Sequence, residues 1–239
     1  DLLLSEKERD AGRTTVHAEV RDLQGDGKAD LVLSRIEGGI TSAKSKIIVY
    51  YNENGRLNQE SPELVINVAR AMAGGIIHDV NGDGRMDLIV PSMRMGVLAY
   101  INMFVTRQIK VNFAFYIMGR DGRYPHEPMV EKELNFAIDF HQGDIAGALP
   151  RLNGDFNGDG KNDVVLAADK DVLTIIIQDK NEIFPADHSY SVSLPVSRKM
   201  IVEDVDEDGL SDIIMFYPYH ESQHGIIRLL LNRWKNFSK

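Results

Sequence analysis

Asp155-Phe156-Asn157-Gly158-Asp159-Gly160-Lys161-Asn162-Asp163, running straight into Val164-Val165-Leu166-Ala167, is the stretch that decides the fold. Oxygen-bearing side chains stand at positions 1, 3, 5 and 9 of this nine-residue segment, and a glycine stands at position 6. The same frame recurs three times. Asp22, Gln24, Asp26, Gly27 and Asp30 fill it before Leu31, with Lys28 at position 7. Asp79, Asn81, Asp83, Gly84 and Asp87 fill it before Leu88, with Arg85 at position 7. Asp204, Asp206, Asp208, Gly209 and Asp212 fill it before Ile213, with Leu210 at position 7.

Calcium is a hard cation that takes six to eight oxygen ligands at about 2.3–2.6 Å. Alternate positions of a tightly curled loop can aim several short carboxylates at one centre, and the glycine permits the sharp turn that a Cβ would resist. The candidate set is therefore the side chains at positions 1, 3, 5 and 9 with the backbone carbonyl of position 7 (Lys28, Arg85, Lys161 and Leu210), which gives up to four Ca²⁺. A polar turn explains one such stretch, since Asp, Asn and Gly are what turns favour. No turn geometry demands an Asp at position 9, four times over, just ahead of an apolar run. An EF-hand would place a bidentate Glu at position 12, inside a helix. Here position 12 is Leu33, Val90, Leu166 and Met215. The residues after position 9 are β-branched and apolar, so each loop opens a strand.

Working outward, the loop starts lie 57, 76 and 49 residues apart, a spacing that marks a repeat architecture. The strand candidates of the first unit are 16–20, 31–34, 47–51 and 64–68. Those of the second are 75–78, 88–91, 97–102 and 111–117. The third offers 149–152, 164–167, 173–178 and 191–194, and the fourth 199–203, 213–217 and 226–231. Turn signals such as Asn54-Gly55 and Gly38-Gly39 separate them. The expected fold is all-β: a β-propeller of four-stranded antiparallel blades, with a calcium loop between the first two strands of each. The 239 residues would form one propeller domain, or part of one, of about four blades spanning 16–68, 75–117, 149–194 and 199–231. The surplus in the second interval lies at 119–147, where 129–140 reads as a short helix with Val130, Leu134, Ala137 and Ile138 on one face.

The loop D-x-[DN]-x-D-G-x-x-D followed by a strand resembles the FG-GAP (VCBS-type) repeat of the integrin α-chain propeller, which also occurs in many bacterial secreted proteins. The resemblance runs from about residue 16 to 232. Its Phe-Gly and Gly-Ala-Pro half survives only as a trace in Gly147-Ala148-Leu149-Pro150. The resemblance implies a loop at the rim of the propeller, with ligands on Asp22, Asp26, Asp30 and the equivalent positions of the other loops; Gln24 departs from the family's Asp or Asn. It also implies a protein that is extracellular, cell-surface associated or periplasmic, with a role such as cell adhesion.

Composition agrees. Thirteen carboxylates occupy ligand positions, and four Ca²⁺ would bring the formal charge from -9 to about -1. That acidity opposes general nucleic-acid binding. With no cysteine, disulfides are excluded and metal is the staple left. No apolar run is long enough to span a membrane. The chain begins at Asp1 without Met or a signal-like segment, as a processed or excised chain would. His220 and His224 sit in a polar stretch after Pro218, where their spacing does not favour a zinc site. His78 reads as a strand residue at the mouth of the second loop, Trp234 as packing on the last blade or lying free, and Asn236-Phe237-Ser238 as a chance acceptor pattern for N-glycosylation. No nucleophile elbow, P-loop or dinucleotide fingerprint occurs. The expected function is a non-enzymatic, calcium-stabilised module that binds a protein or glycan. A purely structural domain and a secreted hydrolase using the propeller face are the alternatives. Two closures are open: a small ring in which 2–5 completes the fourth blade, or a segment of a larger ring.

Overall fold

A computed structural model describes residues 14–38, 43–58, 60–69, 71–94, 96–139, 144–145, 147–178, 183–217 and 225–234. The chain divides into two compact units, one of residues 1–79 and 83–134, the other of 80–82 and 135–239. Strands dominate both.

In the first sheet, β1 (Thr14–Arg21), β2 (Asp30–Glu37), β3 (Lys44–Tyr50) and β6 (Leu64–Ala69) follow one another in space and all pair antiparallel. Between β3 and β6 the chain makes a small hairpin, β4 (Asn52–Glu53) and β5 (Arg56–Leu57). Its turn residues Asn54 and Gly55 both take positive φ, 55° and 82°, the mirror-image turn that suits the twist of a hairpin. The central strands bury both faces. Val32, Ile47 and Val49 belong to one core cluster, while Leu31, Leu33, Ile48 and Tyr50 form another. This is why β2 reads as a continuous apolar run rather than an alternating one.

The second sheet corrects two expectations. Its order is β12 (Asp144–Ile145), β11 (Val130–Asp139), β10 (Gln108–Tyr116), β9 (Asp87–Arg94), β7 (Ala71–Ala73), with β8 (Ile76–His78) also pairing β9. Residues 97–102, expected as a strand, belong to the helix α1 (Val97–Thr106). Residues 129–140, expected as a helix, contain the strand β11. The two segments exchange roles, and the reason is periodicity. In β11, Glu131, Glu133 and Asn135 are exposed while Lys132 and Leu134 are half-buried and Phe136 is buried, a two-residue alternation that the four apolar positions at helical spacing had hidden. In α1, the apolar residues run on without alternation and include the strong helix formers Leu98, Ala99 and Met103. The expected insertion thus supplies the fourth strand beside β8, β9 and β10.

The third sheet is β13 (Ala148–Gly154), β14 (Asp163–Asp169), β15 (Val172–Ile176) and β16 (Ser189–Ser193), in that order and antiparallel. The fourth is β17 (Met200–Glu203), β18 (Asp212–Tyr217) and β19 (Ile226–Leu230). Both fall where the strand candidates were placed. Residues 2–5, the strand suggested to complete the fourth blade, lie outside the described residues, as do Gly39, His220, His224 and 236–238.

Each unit has its own core. In the first, Leu23, Val32, Val49 and Leu64 of the first sheet and its loop meet Ile77, Leu88, Val90 and Tyr116 of the second. In the other, Phe156, Val165, Ala167 and Leu173 meet Met200, Val202, Ile213 and Met215. Fully burying a side chain of this kind is worth about 1.5–3 kcal/mol, so sheet-on-sheet contact is the main stabilising term in each. Trp234 meets Tyr190 of β16 edge-on, ring centres 4.8 Å apart and planes at 84°. Trp234 thus contacts the edge strand of the third sheet.

Candidate functional site

All four Asp-rich loops connect two sequential antiparallel strands of one sheet in one register. Arg21 pairs with Asp30, His78 with Asp87, Gly154 with Asp163 and Glu203 with Asp212. The residue before position 1 therefore always faces position 9, and the loop between them is closed by the same pair of strand ends. Position 6 takes φ of 82°, 85°, 79° and 85° in Gly27, Gly84, Gly160 and Gly209. Position 4 is left-handed too, at Gly25, Gly82 and Gly158, and in the fourth loop it is Glu207 at φ 59° that does so. The recurrence of glycine at position 4 of three loops is the sequence signal for this second bend, beside the glycine at position 6.

The exposed end of the loop is organised by position 1. Asp22 Oδ1 accepts the N–H groups of Gly25 (2.8 Å) and Asp26 (3.1 Å), and its Oδ2 accepts that of Gly27 (2.8 Å). Asp155 repeats the pattern with Gly158, Asp159 and Gly160 at 2.7, 3.2 and 2.7 Å. Asp79 and Asp204 each accept the N–H groups of positions 5 and 6. Position 5 carries the next carboxylate. In three loops it is met by the position 7 side chain: Lys28 on Asp26 at 2.6 Å, Arg85 on Asp83 at 2.5 Å, Lys161 on Asp159 at 3.2 Å. The hydrogen bond from Lys28 lowers the Asp26 pKa below the usual carboxylate range. At Asp159 burial pushes upward, but the N–H and ammonium of Lys161 and the Asn157 side chain outweigh it and the net shift is downward.

The inner end is different. Position 9 is buried in every loop, with Asp30 at 1% exposure and Asp87, Asp163 and Asp212 at 0%. One oxygen of each accepts the N–H of the residue two places beyond the end of the third strand: Asn52 (2.8 Å), Met118 (2.9 Å), Gln178 (2.9 Å) and Asn232 (2.7 Å). In loops one, three and four the other oxygen accepts the N–H of position 2, namely Leu23, Phe156 and Val205 at 2.8–3.0 Å. One aspartate thus ties the loop, the second strand and the exit of the third strand together. Removal from water raises its pKa, in Asp30 and, further, in Asp163 to about 6, against the pull of those amides.

Loop four gathers the most charge. Carboxylate oxygens of Asp204, Asp206 and Asp208 lie within 4.8 Å of one another. Oxygens about 2.3–2.6 Å from one ion can stand up to about 5 Å apart, so this donor set fits a single hard cation. Asp212 is not part of that group and serves the backbone amides instead. Leu210 brings no cation, and Arg233 replaces it, with Nη1 2.7 Å from Asp206 and 3.1 Å from Asp208. In loop three the Asn157 oxygen accepts Asp159 N–H at 3.0 Å. Loop one differs most. Gln24 donates from Nε2 to the carbonyl of Gly122 at 2.9 Å, on the turn that also offers Asp121 and Arg123. A polar cleft of about 300 Å³ opens there, lined by Gln24, Asp26, Lys28, Tyr51, Glu63 and Arg123 among others. Arg123 meets Glu63 at 3.4 Å, and burial raises the Glu63 pKa. Tyr51, Glu63, Asp121 and Arg123 come from segments the loop motif does not contain, so no spacing rule joins them to loop one.

The four repeats share register, left-handed glycines, and an aspartate cradled by amides. The FG-GAP-like repeat profile matches residues 22–90 and 155–215, more than half of the chain. The chain belongs to the FG-GAP-like repeat family. The two matched segments of this FG-GAP-like protein each begin with one Asp-rich loop and run through a second whole loop into the strand it opens. No curated protein and no solved structure matches the chain. Among the described residues, no helix is long and apolar enough to cross a membrane.

Proposed function

We propose that this FG-GAP-like chain is a calcium-stabilised β-propeller module, or a part of one, acting outside the cytoplasm as a binding unit rather than a catalyst. The observation that carries the reading is the fourfold frame: one loop register, with one side of the loop lined by acceptor oxygens and the other locked to the sheet. In each loop the side chains of positions 1, 3 and 5 and the carbonyl of position 7 would hold Ca²⁺, with position 9 bracing the loop from beneath. The bound ion would supply positive charge that relieves repulsion among the carboxylates. The protein's own part is to present short oxygens on a loop whose backbone is already fixed. Stacking the sheets side by side as blades would cover their open edges. The ligand, a protein or a glycan, would be met on the loop face, where the cleft beside loop one offers donors and acceptors together.

Thermal unfolding of metal-stripped protein, with and without millimolar Ca²⁺, tests this. A ligand that binds only the folded state stabilises it by mass action, so the melting temperature rises with calcium and falls back in chelator. A curve that ignores calcium, after metal analysis has shown the protein to be stripped, contradicts the reading.

A further inference from the structure

The helix α1 stands at the end of the β9–β10 hairpin and is built the wrong way round for a helix of a water-soluble protein. None of its residues is buried. At about 100° per residue, Phe104, Val97, Ile101, Val105 and Leu98 share one arc, and all five are exposed, from 54% at Ile101 to 81% at Leu98. Ala99, Tyr100 and Met103, on the other side, are the half-buried ones. The apolar stripe therefore faces solvent, where such a stripe marks an interaction surface.

What covers it is indicated by charge. The chain carries -9 overall, yet from Leu88 to Arg120 it contains no Asp or Glu and four basic residues, Arg94, Arg107, Lys110 and Arg120. Arg94 ends β9 just before α1 and Arg107 caps its C-terminus, so the two flank the helix, and neither side chain makes an ion pair among the described residues. Lys110 is held by Glu133 at 2.6 Å. Within α1 the Thr106 hydroxyl is internally satisfied, donating to the Asn102 carbonyl at 2.8 Å, which lowers the cost of leaving water. An uncharged apolar arc flanked by arginines without an ion pair among the described residues is the arrangement of a helix that rests in the boundary between lipid headgroups and acyl chains. Ten residues give about 15 Å, half the thickness of a bilayer core, so α1 can lie in that boundary but not cross.

We infer that α1 is a membrane-surface anchor, placing Phe104, Val97, Ile101, Val105 and Leu98 in the interface of an anionic bilayer while Arg94 and Arg107 meet the headgroups. Because the chain has no cysteine, a Leu98→Cys variant can carry a single environment-sensitive dye. The dye should shift to the blue and become shielded from an aqueous quencher with vesicles of phosphatidylcholine and phosphatidylglycerol, and much less with phosphatidylcholine alone. Each basic residue near such a surface changes partitioning about fivefold, so Arg94→Glu with Arg107→Glu should weaken co-sedimentation by more than tenfold. Leu98→Asp with Ile101→Asp should abolish it while leaving the melting curve in place. A dye that stays in water with both vesicle types overturns the proposal, and so does binding that ignores headgroup charge. A blue shift without lipid, accompanied by a doubled mass that Leu98→Asp removes, would assign the helix to a second copy of the chain instead.

Discussion

Loop one and loop four are built on the same strand frame and finish differently. Beneath each, a buried aspartate, Asp30 or Asp212, accepts two backbone amides from the same two places. Above each, the exposed ends diverge. Loop four turns three carboxylates towards one point and draws Arg233 onto two of them. Loop one has Gln24 in the middle of the set, donating to Gly122 across a polar cleft. The difference teaches that the frame and the acceptor set are separable. Position 9 makes the loop, whereas positions 3 and 5 decide what the loop holds.

The largest effect should come from breaking what the two loops share. Asp212→Asn and Asp30→Asn each leave a backbone N–H facing an amide NH₂ in the interior, a buried unsatisfied donor that costs about 1–3 kcal/mol. Chemical denaturation in chelator should show that loss in both variants, since it does not depend on metal. The equivalent in loop three carries a pH signature. Asp163 has a folded-state pKa raised from 3.8 to about 6, so its contribution is fully present below 3.8 and fades as pH rises through about 6. Metal-stripped protein should accordingly gain stability from this group as pH falls from 7 to 5, and Asp163→Asn should lose that gain.

Calcium should separate the loops next. A ligand at tenfold to a hundredfold its Kd stabilises the folded state by about 1.4–2.7 kcal/mol per site, and ligand charge count tunes affinity. Asp206→Asn should therefore weaken calcium binding at loop four to the level of loops two and three, which carry Asn at that position, whereas Gln24→Asn should change little, as read by calorimetric titration. Gln24→Asp should move loop one towards loop four, tightening it several-fold and freeing Gly122. A smaller effect is expected at Glu207, the one side chain in the position 4 series. Because a left-handed conformation strains a residue with a Cβ, Glu207→Gly should raise stability by about 0.5–1 kcal/mol, an increase visible in the melting temperature. Smallest of all, Arg233→Ala should tighten loop four about two- to fivefold, the scale of an exposed ion pair that calcium has to displace.

Much of this fold was legible because the repeats are written in residue types with narrow conformational uses. A glycine before a fixed-spacing Asp and a β-branched run locates a loop and the strand it opens, which is why three of the four sheets fall on their expected strands. The second failed at 97–102 and 129–140 for one physical cause. Segments with apolar residues at both helical and strand spacing are decided by neighbours, here the free edge of β10 that β11 fills. The role of Asp30, Asp87, Asp163 and Asp212 was half legible. Their spacing marked them, but only the folded chain brings the amides of Asn52, Met118, Gln178 and Asn232 to them. The cleft residues Tyr51, Glu63, Asp121 and Arg123 were not legible at all, since three separate segments must meet before they share a surface.

The most direct test of the calcium reading is site occupancy from anomalous scattering, measured on crystals of stripped protein equilibrated with limiting calcium. A peak should appear among Asp204, Asp206 and Asp208 first, in loops two and three next, and in the loop with Gln24 last. A peak in loop one before loop four, or no peak in any loop at saturating calcium, would contradict it.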